Sequence, residues 1–307
     1  MSALRRLALV LLLVASLPAA AAVPELRIEA PPELAALAQR LRAFDTTRLE
    51  PALTMTGVTD PDPPVTVVLA PEASELARRA PDWASGYAMS EAGVVVLIPA
   101  RAPAYPDRSL EALLVHELTH VYLSRAAAGH PVPRWFNEGV ALNAAREWTF
   151  DDDRRVAMGI LFGGRVGFDQ LDAEFQLGPA NAGRAYALAG ALVRDLVVVG
   201  GPTLPSRILS DVAGGREFDA AFAHASGMSL DSYAASFWRS TLVWYRWVPV
   251  LSSSVTLWTG ITLLAIYAIR TRRRRDRALL AAEAEAERAE AWLGVAEDEA
   301  PPEETVH

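Results

Sequence analysis

His116-Glu117-Leu118-Thr119-His120 sets two imidazoles four residues apart, with a carboxylate beside the first. On a helix this spacing puts both histidines on one face, so both can reach one tetrahedral Zn²⁺. Glu117 then stands beside the metal, placed to take a proton from a zinc-bound water. The apolar neighbours Leu113, Leu114, Val115, Leu118, Val121 and Tyr122 predict that this helix is buried.

A catalytic zinc uses three protein ligands and keeps one position open, so a third ligand must come from elsewhere. The chain has no cysteine, which excludes thiolate ligands, disulfides and a cysteine nucleophile. Glu138, in Trp135-Phe136-Asn137-Glu138-Gly139-Val140-Ala141, is the candidate. Gly129 can end the first helix, and Pro131 and Pro133 bracket a turn into the next, so the two helices can fold back with Glu138 facing the histidines. Apart from the histidine pair, Glu138 would read as an ordinary surface acid near a helix start. His130 and His224 have no partner of motif type and read as satisfied or exposed side chains.

HELTH followed by WFNEGVA resembles the gluzincins, the thermolysin-like and aminopeptidase-like metallopeptidases, and most of all the bacterial peptidase MA-like family. The resemblance covers roughly residues 65–238. It implies a zincin-like fold, zinc ligation by His116, His120 and Glu138, Glu117 as general base, and hydrolysis of peptide bonds. The gap of 17 residues between His120 and Glu138 is close to that of related families. Residues 185–196 resemble the family's next helix, where a tyrosine precedes a small residue by three. Tyr186 with Ala189 fits that spacing, which implies Tyr186 as a donor to the oxyanion. A packed helix tyrosine is the alternative.

Residues 86–91 stand where gluzincins run an edge strand along the cleft to pair with substrate backbone. Glu91 is reminiscent of the acid with which aminopeptidases hold a substrate amine. Asn143 and Glu147, one and two turns past Glu138, could hydrogen-bond a ligand histidine. Leu142 stands where some relatives have a carboxylate, so the group that orients His116 is left open. The rival to a zinc metallopeptidase is a catalytically silent zincin-like module binding a cell-envelope partner, against which an intact Glu117 argues.

The elements that must position these residues are mixed. Residues 32–49 read as helix, 65–69 as a β-branched strand, 72–79 as helix, and 86–89 and 93–98 as two strands around a turn. Helices follow at 107–128, 133–148, 152–161, 182–199, 203–213, 218–225 and 230–243. A small N-terminal mixed sheet with a mainly helical remainder predicts an α+β domain.

Residues 1–22 read as a secretion signal, with Arg5 and Arg6, an apolar stretch and Ala20-Ala21-Ala22; an uncleaved anchor helix is the alternative. Residues 248–269 carry no charge over 22 positions, long enough to span a hydrocarbon layer of about 30 Å. Six arginines follow between Arg270 and Arg277. These features predict a C-terminal transmembrane helix, a catalytic domain (23–247) in the periplasm and a cytoplasmic tail (270–307). The domain carries 20 arginines against 27 acidic residues with no basic run, which argues against nucleic acid as a partner.

Overall fold

Val65–Leu69, the β-branched run VTVVL, forms strand β2, and its side chains alternate between buried and half-buried. It lies within a four-stranded sheet whose other members are β1 (Leu26–Glu29), β3 (Gly86–Met89) and β4 (Val94–Leu97), in the order β1-β2-β4-β3. β1 and β4 run parallel to β2, while β3 runs antiparallel to β4 and forms an edge. The computed structural model describes residues 24–102, 106–251 and 254–298. The expected secretion signal and the last nine residues of the tail lie outside the described residues.

Between β1 and β2 the chain does not form the single helix expected over 32–49. Helix α1 (Ala35–Arg42) stops, and Asp45 accepts the backbone N–H of Thr47 at 3.0 Å to start a 3₁₀ turn, Thr46–Leu49. Helix α2 (Glu50–Thr56) follows, closed by Gly57 at φ 76°. A short acid that bonds its own backbone two residues on interrupts a helix in this way. Helix α3 (Glu75–Arg79), capped by Ser74, links β2 to β3.

The remaining helices are α4 (Leu110–Ala126), α5 (Arg134–Ala145), α6 (Phe150–Gly163), α7 (Phe168–Glu174), α8 (Pro179–Gly200), α9 (Leu204–Ala213), α10 (Phe218–Ser226) and α11 (Leu230–Leu251). The domain is thus α+β, with a small mixed sheet and a mainly helical remainder. α4 is central: it packs against β3, β4, α2, α5 and α9. Its buried residues run around the helix from Leu110 to Leu123 and include His116 and Glu117, as expected of a helix apolar on nearly every side.

α5 and α8 pack closely because Gly139 has no side chain. A Cβ there would lie 2.5 Å from the Ala189 carbonyl oxygen and 2.5 Å from Val193 Cγ2. Any larger residue would push the helices apart.

The chain divides into two compact units, the second beginning at Arg246. In the second, α12 (Ser254–Asp298) carries both apolar residues and the arginine cluster. Among the described residues no single helix is long and apolar enough to cross a membrane. Of the span expected over 248–269, residues 248–251 belong to α11 and 254–269 to α12, and residues 252–253 lie outside the described residues.

Candidate metal centre

Helix α4 begins where the Ser109 hydroxyl accepts the N–H of Ala112 at 3.1 Å. Four residues apart on this helix, the rings of His116 and His120 lie 4.9 Å apart and nearly perpendicular, at 77°. The chain then turns back through left-handed Ala128 (φ 52°) and Gly129 (φ 76°), whose N–H donates to the Ser124 carbonyl at 2.9 Å. The start of α5 is fixed from outside by Asp172 of α7, which accepts the N–H groups of Arg134 at 2.8 Å and Trp135 at 2.6 Å. The carboxylate takes the place of a cap that Pro133 cannot supply.

This arrangement delivers Glu138 to the histidines. Its Oε2 lies 3.4 Å from His116 Nε2 and 3.5 Å from His120 Nε2. The three donor atoms fall within 4.8 Å of one another, and the three residues could together hold a metal ion. Glu138 Oε2 is buried without a hydrogen-bond partner, as are His116 Nδ1 and Asp107 Oδ1. Buried acceptors without partners are costly, and a cation shared with the two Nε2 atoms would satisfy the Glu138 oxygen.

The opposite side of each imidazole has its own neighbour. Asn137 Oδ1 lies 2.6 Å from His120 Nδ1, so a proton on Nδ1 donates to the amide oxygen and leaves Nε2 with its lone pair toward Glu138. Asp107 Oδ1 lies 3.5 Å from His116 Nδ1. Arg134 Nε lies 3.4 Å from the other Glu138 oxygen, and its guanidinium stacks over Phe175 at 4.7 Å.

In the metal-free protein these groups govern each other's ionisation. Burial opposes a charge on His116, but the carboxylates of Asp107 and Glu138 beside it lift its pKa to about 9. Burial would raise Glu138, yet the two histidines and Arg134 hold it down to about 2. Burial lowers His120 and raises Asp107. Glu117 is pushed up to about 8, by burial first and then by Asp107 and Glu138, with His116 pulling the other way.

Glu117 faces β3, where Gly86 makes room for it: a Cβ at Gly86 would stand 3.2 Å from Glu117 Oε1. A cleft of about 480 Å³ opens over the cluster, bordered by Gly86, Tyr87, Arg134 and Tyr186 among others. The Tyr186 ring stands 6.5 Å from that of His116 and edge-on to Phe175 at 5.1 Å. Burial holds its hydroxyl well above the usual tyrosine range, so it stays a neutral donor. The facing wall, around Pro81 and Ala84, is anchored by Arg101, which donates to the carbonyls of both at 2.9 and 3.2 Å while pairing with Glu72 at 2.8 Å.

The structure therefore brings together five of the residues singled out from the sequence, His116, Glu117, His120, Glu138 and Tyr186. It does not bring Asn143 or Glu147 to the histidines. Asn143 donates to the Gly139 and Gly190 carbonyls at 2.8 and 2.9 Å, tying α5 to α8, and Glu147 is exposed beyond the end of α5. Glu91 is exposed and borders an adjoining cavity rather than the cleft over Glu117. His130 is exposed, and His224 pairs with Asp211 at 2.6 Å on the surface of α10. The sequence reading missed Asp107, Asn137 and Arg134. Asn137 at least carried a signal, since it adjoins Glu138 in the same short motif. Comparison with protein-family models, curated proteins and solved structures finds no match.

Proposed function

We propose that the protein is a zinc metallopeptidase with a zincin-like fold. One observation carries the reading: a glutamate oxygen stands 3.4 and 3.5 Å from two histidine nitrogens, with a second carboxylate, that of Glu117, beside them on the cleft. Zinc bonds of 2.0–2.2 Å in a tetrahedron put neighbouring ligand atoms about 3.4 Å apart, the spacing at which Glu138 stands from each histidine nitrogen. Two neutral imidazoles and one carboxylate are a donor set suited to zinc, and they leave a position open.

A bound zinc ion supplies Lewis acidity, polarising the scissile carbonyl and making water acidic. Glu117 takes the proton from the attacking water and passes it to the leaving amine. Its raised pKa in the metal-free protein marks a group whose ionisation is set by its surroundings, as a base near neutral pH requires. The Tyr186 hydroxyl donates to the developing oxyanion. Asp107 and Asn137 hold the rings of His116 and His120.

The same reading makes the enzyme a membrane-anchored envelope protein, with the catalytic domain outside the cytoplasm and the arginine cluster inside. In support, residues 248–269 lack charge, and α12 leaves Leu257, Trp258, Leu263, Leu264, Tyr267 and Ile269 exposed. Large apolar side chains in such a row call for a covering such as lipid. Metal analysis joined to digestion of a generic unfolded protein tests the activity. The expected result is one zinc per chain and cleavage that a chelator abolishes; a zinc-loaded protein that cuts nothing would sink the proposal.

A further inference from the structure

Arg134 is the one arginine among the described residues that border the cleft over the metal centre. Three contacts fix it. Asp172 accepts its backbone N–H at 2.8 Å, its Nε faces Glu138 Oε1 at 3.4 Å, and its guanidinium stacks over Phe175 with Cζ 4.7 Å from the ring centre. The two remaining nitrogens, Nη1 and Nη2, make no hydrogen bond among the described residues, and the side chain stays 34 % exposed.

Other arginines that the protein encloses are arranged differently. The side chains of Arg101, Arg146 and Arg184 are 10, 8 and 14 % exposed. In each of them both Nη atoms donate to the protein: Arg101 to the carbonyls of Pro81 and Ala77, Arg146 to the two oxygens of Asp152, and Arg184 to Glu174 and the Gly164 carbonyl. Arg134 has no such acceptor and leaves its terminal fork on the cleft.

A guanidinium already held flat on a ring loses little freedom when it takes a ligand, and its Nη pair matches a carboxylate with two parallel N–H···O bonds. The nearby acids leave that pair free. Glu138 meets Nε with one oxygen and the histidines with the other, and Glu117 lies toward β3 at Gly86. Phe175 also takes the Tyr186 ring edge-on at 5.1 Å, so Arg134 and Tyr186 rest on one support and a group bound at the fork lies near the oxyanion donor. Only the Glu138 carboxylate separates the guanidinium from the metal position. At roughly 3.3–3.6 Å per extended residue, the fork stands within about two residues of the reacting carbonyl.

We propose that Arg134 selects the substrate: its Nη pair binds a carboxylate of the polypeptide, on an acidic side chain or at the chain's C-terminus, within about two residues of the bond to be cut. This rests on the peptidase reading and adds its substrate class.

The test uses the full-length zinc-loaded protein in detergent and a library of synthetic peptides, each made with a free and with an amidated C-terminus. Enrichment of Asp and Glu at one position beside the cut, in both forms alike, would identify a side-chain carboxylate; cutting that needs the free C-terminus would identify the terminal one. Peptides cut with neither preference would overturn the proposal and leave the peptidase reading standing, and failure to cut any peptide would overturn both. Binding is measured separately by calorimetry on the zinc-loaded Glu117→Gln protein, with a peptide that carries the selected carboxylate and with its amide counterpart. The carboxylate peptide should bind about tenfold or more tightly than the amide, the scale of a hydrogen bond to a charged group. Adding Arg134→Lys, which keeps the charge and loses the fork, should reduce that ratio to roughly threefold or less, and adding Arg134→Gln should bring it to about one. The amide peptide is the internal reference, so a loss of affinity common to both peptides leaves the ratio unchanged. A ratio that keeps its Glu117→Gln value in Arg134→Lys would overturn the assignment, whether or not Arg134→Gln folds.

Discussion

Asp107 Oδ1 lies 3.5 Å from Nδ1 of His116, with both atoms buried. The acid stands two residues before the cap of α4, so the loop entering the helix, and not the helix itself, sets its position. A carboxylate behind a ligand histidine fixes the ring and its tautomer and makes the ligating nitrogen more basic. Asp107→Asn is therefore expected to weaken zinc binding by about 10–100-fold while the fold persists. Competition against a chelator of known affinity measures this. A change in thermal stability alone, with zinc affinity intact, would make Asp107 a structural acid.

Glu117 separates binding from chemistry. It stands beside His116 on α4, yet the donor atoms that converge are those of His116, His120 and Glu138. Glu117→Gln keeps the volume and removes the base, so zinc content should stay near one per chain while kcat falls by about 10²–10⁴. Near-normal turnover in a zinc-loaded Glu117→Gln protein would falsify the proposed role.

Metal uptake should release protons, with a pH dependence that follows from the cluster. His116, raised to about 9, is charged at neutral pH in the metal-free protein and must lose its proton to bind a cation. Glu117, raised to about 8, also ionises once a cation arrives, whereas Glu138 at about 2 is already ionised. Zinc affinity should therefore climb with pH through the neutral range and level off above about 9. Calorimetry at pH 7 in buffers of differing ionisation enthalpy should find between about one and two protons released per metal. No release at pH 7 would show that His116 is neutral in the metal-free protein.

The helices of the site are legible in the sequence, and its supporting groups are not. α4 announces itself through an apolar run and the i, i+4 histidines; α5 follows from the Gly129 and Pro133 punctuation. The helix expected over 107–128 begins only at Leu110, which leaves Asp107 in the loop before it, where no helical periodicity links it to His116. The contact exists only because of how the loop enters α4. Arg134 reaches Phe175 through α7, and α7, like α2, has seven residues, too few for summed propensity to stand out. β1 has four residues, and its partner β2 lies some forty positions away in the chain, so its strand character comes from a pairing that local reading does not see. Asn143 was a reasonable candidate by spacing alone, but α8 approaches so closely at Gly139 that the amide is drawn to the backbone between the two helices.

Tyr186 is half-buried on the cleft wall, and its hydroxyl stays protonated far beyond neutral pH. Tyr186→Phe keeps the ring against Phe175 and removes only the donor, so stability and zinc content should hold. A donor to the oxyanion is worth about 10²–10³ in kcat. Equal kcat in the two proteins would reduce Tyr186 to a packing residue.

Gly139 tests whether the spacing of α5 and α8 matters to the site or only to the core. An alanine Cβ there would come within 2.5 Å of both the Ala189 carbonyl oxygen and Val193 Cγ2; the first is backbone and cannot swing aside, so the helices must part. Overpacking of this kind costs about 1–3 kcal/mol. In a domain of this size that lowers Tm by roughly 2–12 °C. Because Glu138 adjoins Gly139 on one helix and Tyr186 lies one turn before Ala189 on the other, the same displacement should separate ligand from oxyanion donor. Gly129→Ala serves as the control. No atom crowds that position, but its φ of 76° strains any side chain, so it should cost about 1 kcal/mol without touching the cluster. The expected pattern is a fall in kcat for Gly139→Ala, measured well below its Tm, beyond anything seen in Gly129→Ala. If both variants lose stability and neither loses turnover, the close packing at Gly139 serves the core alone.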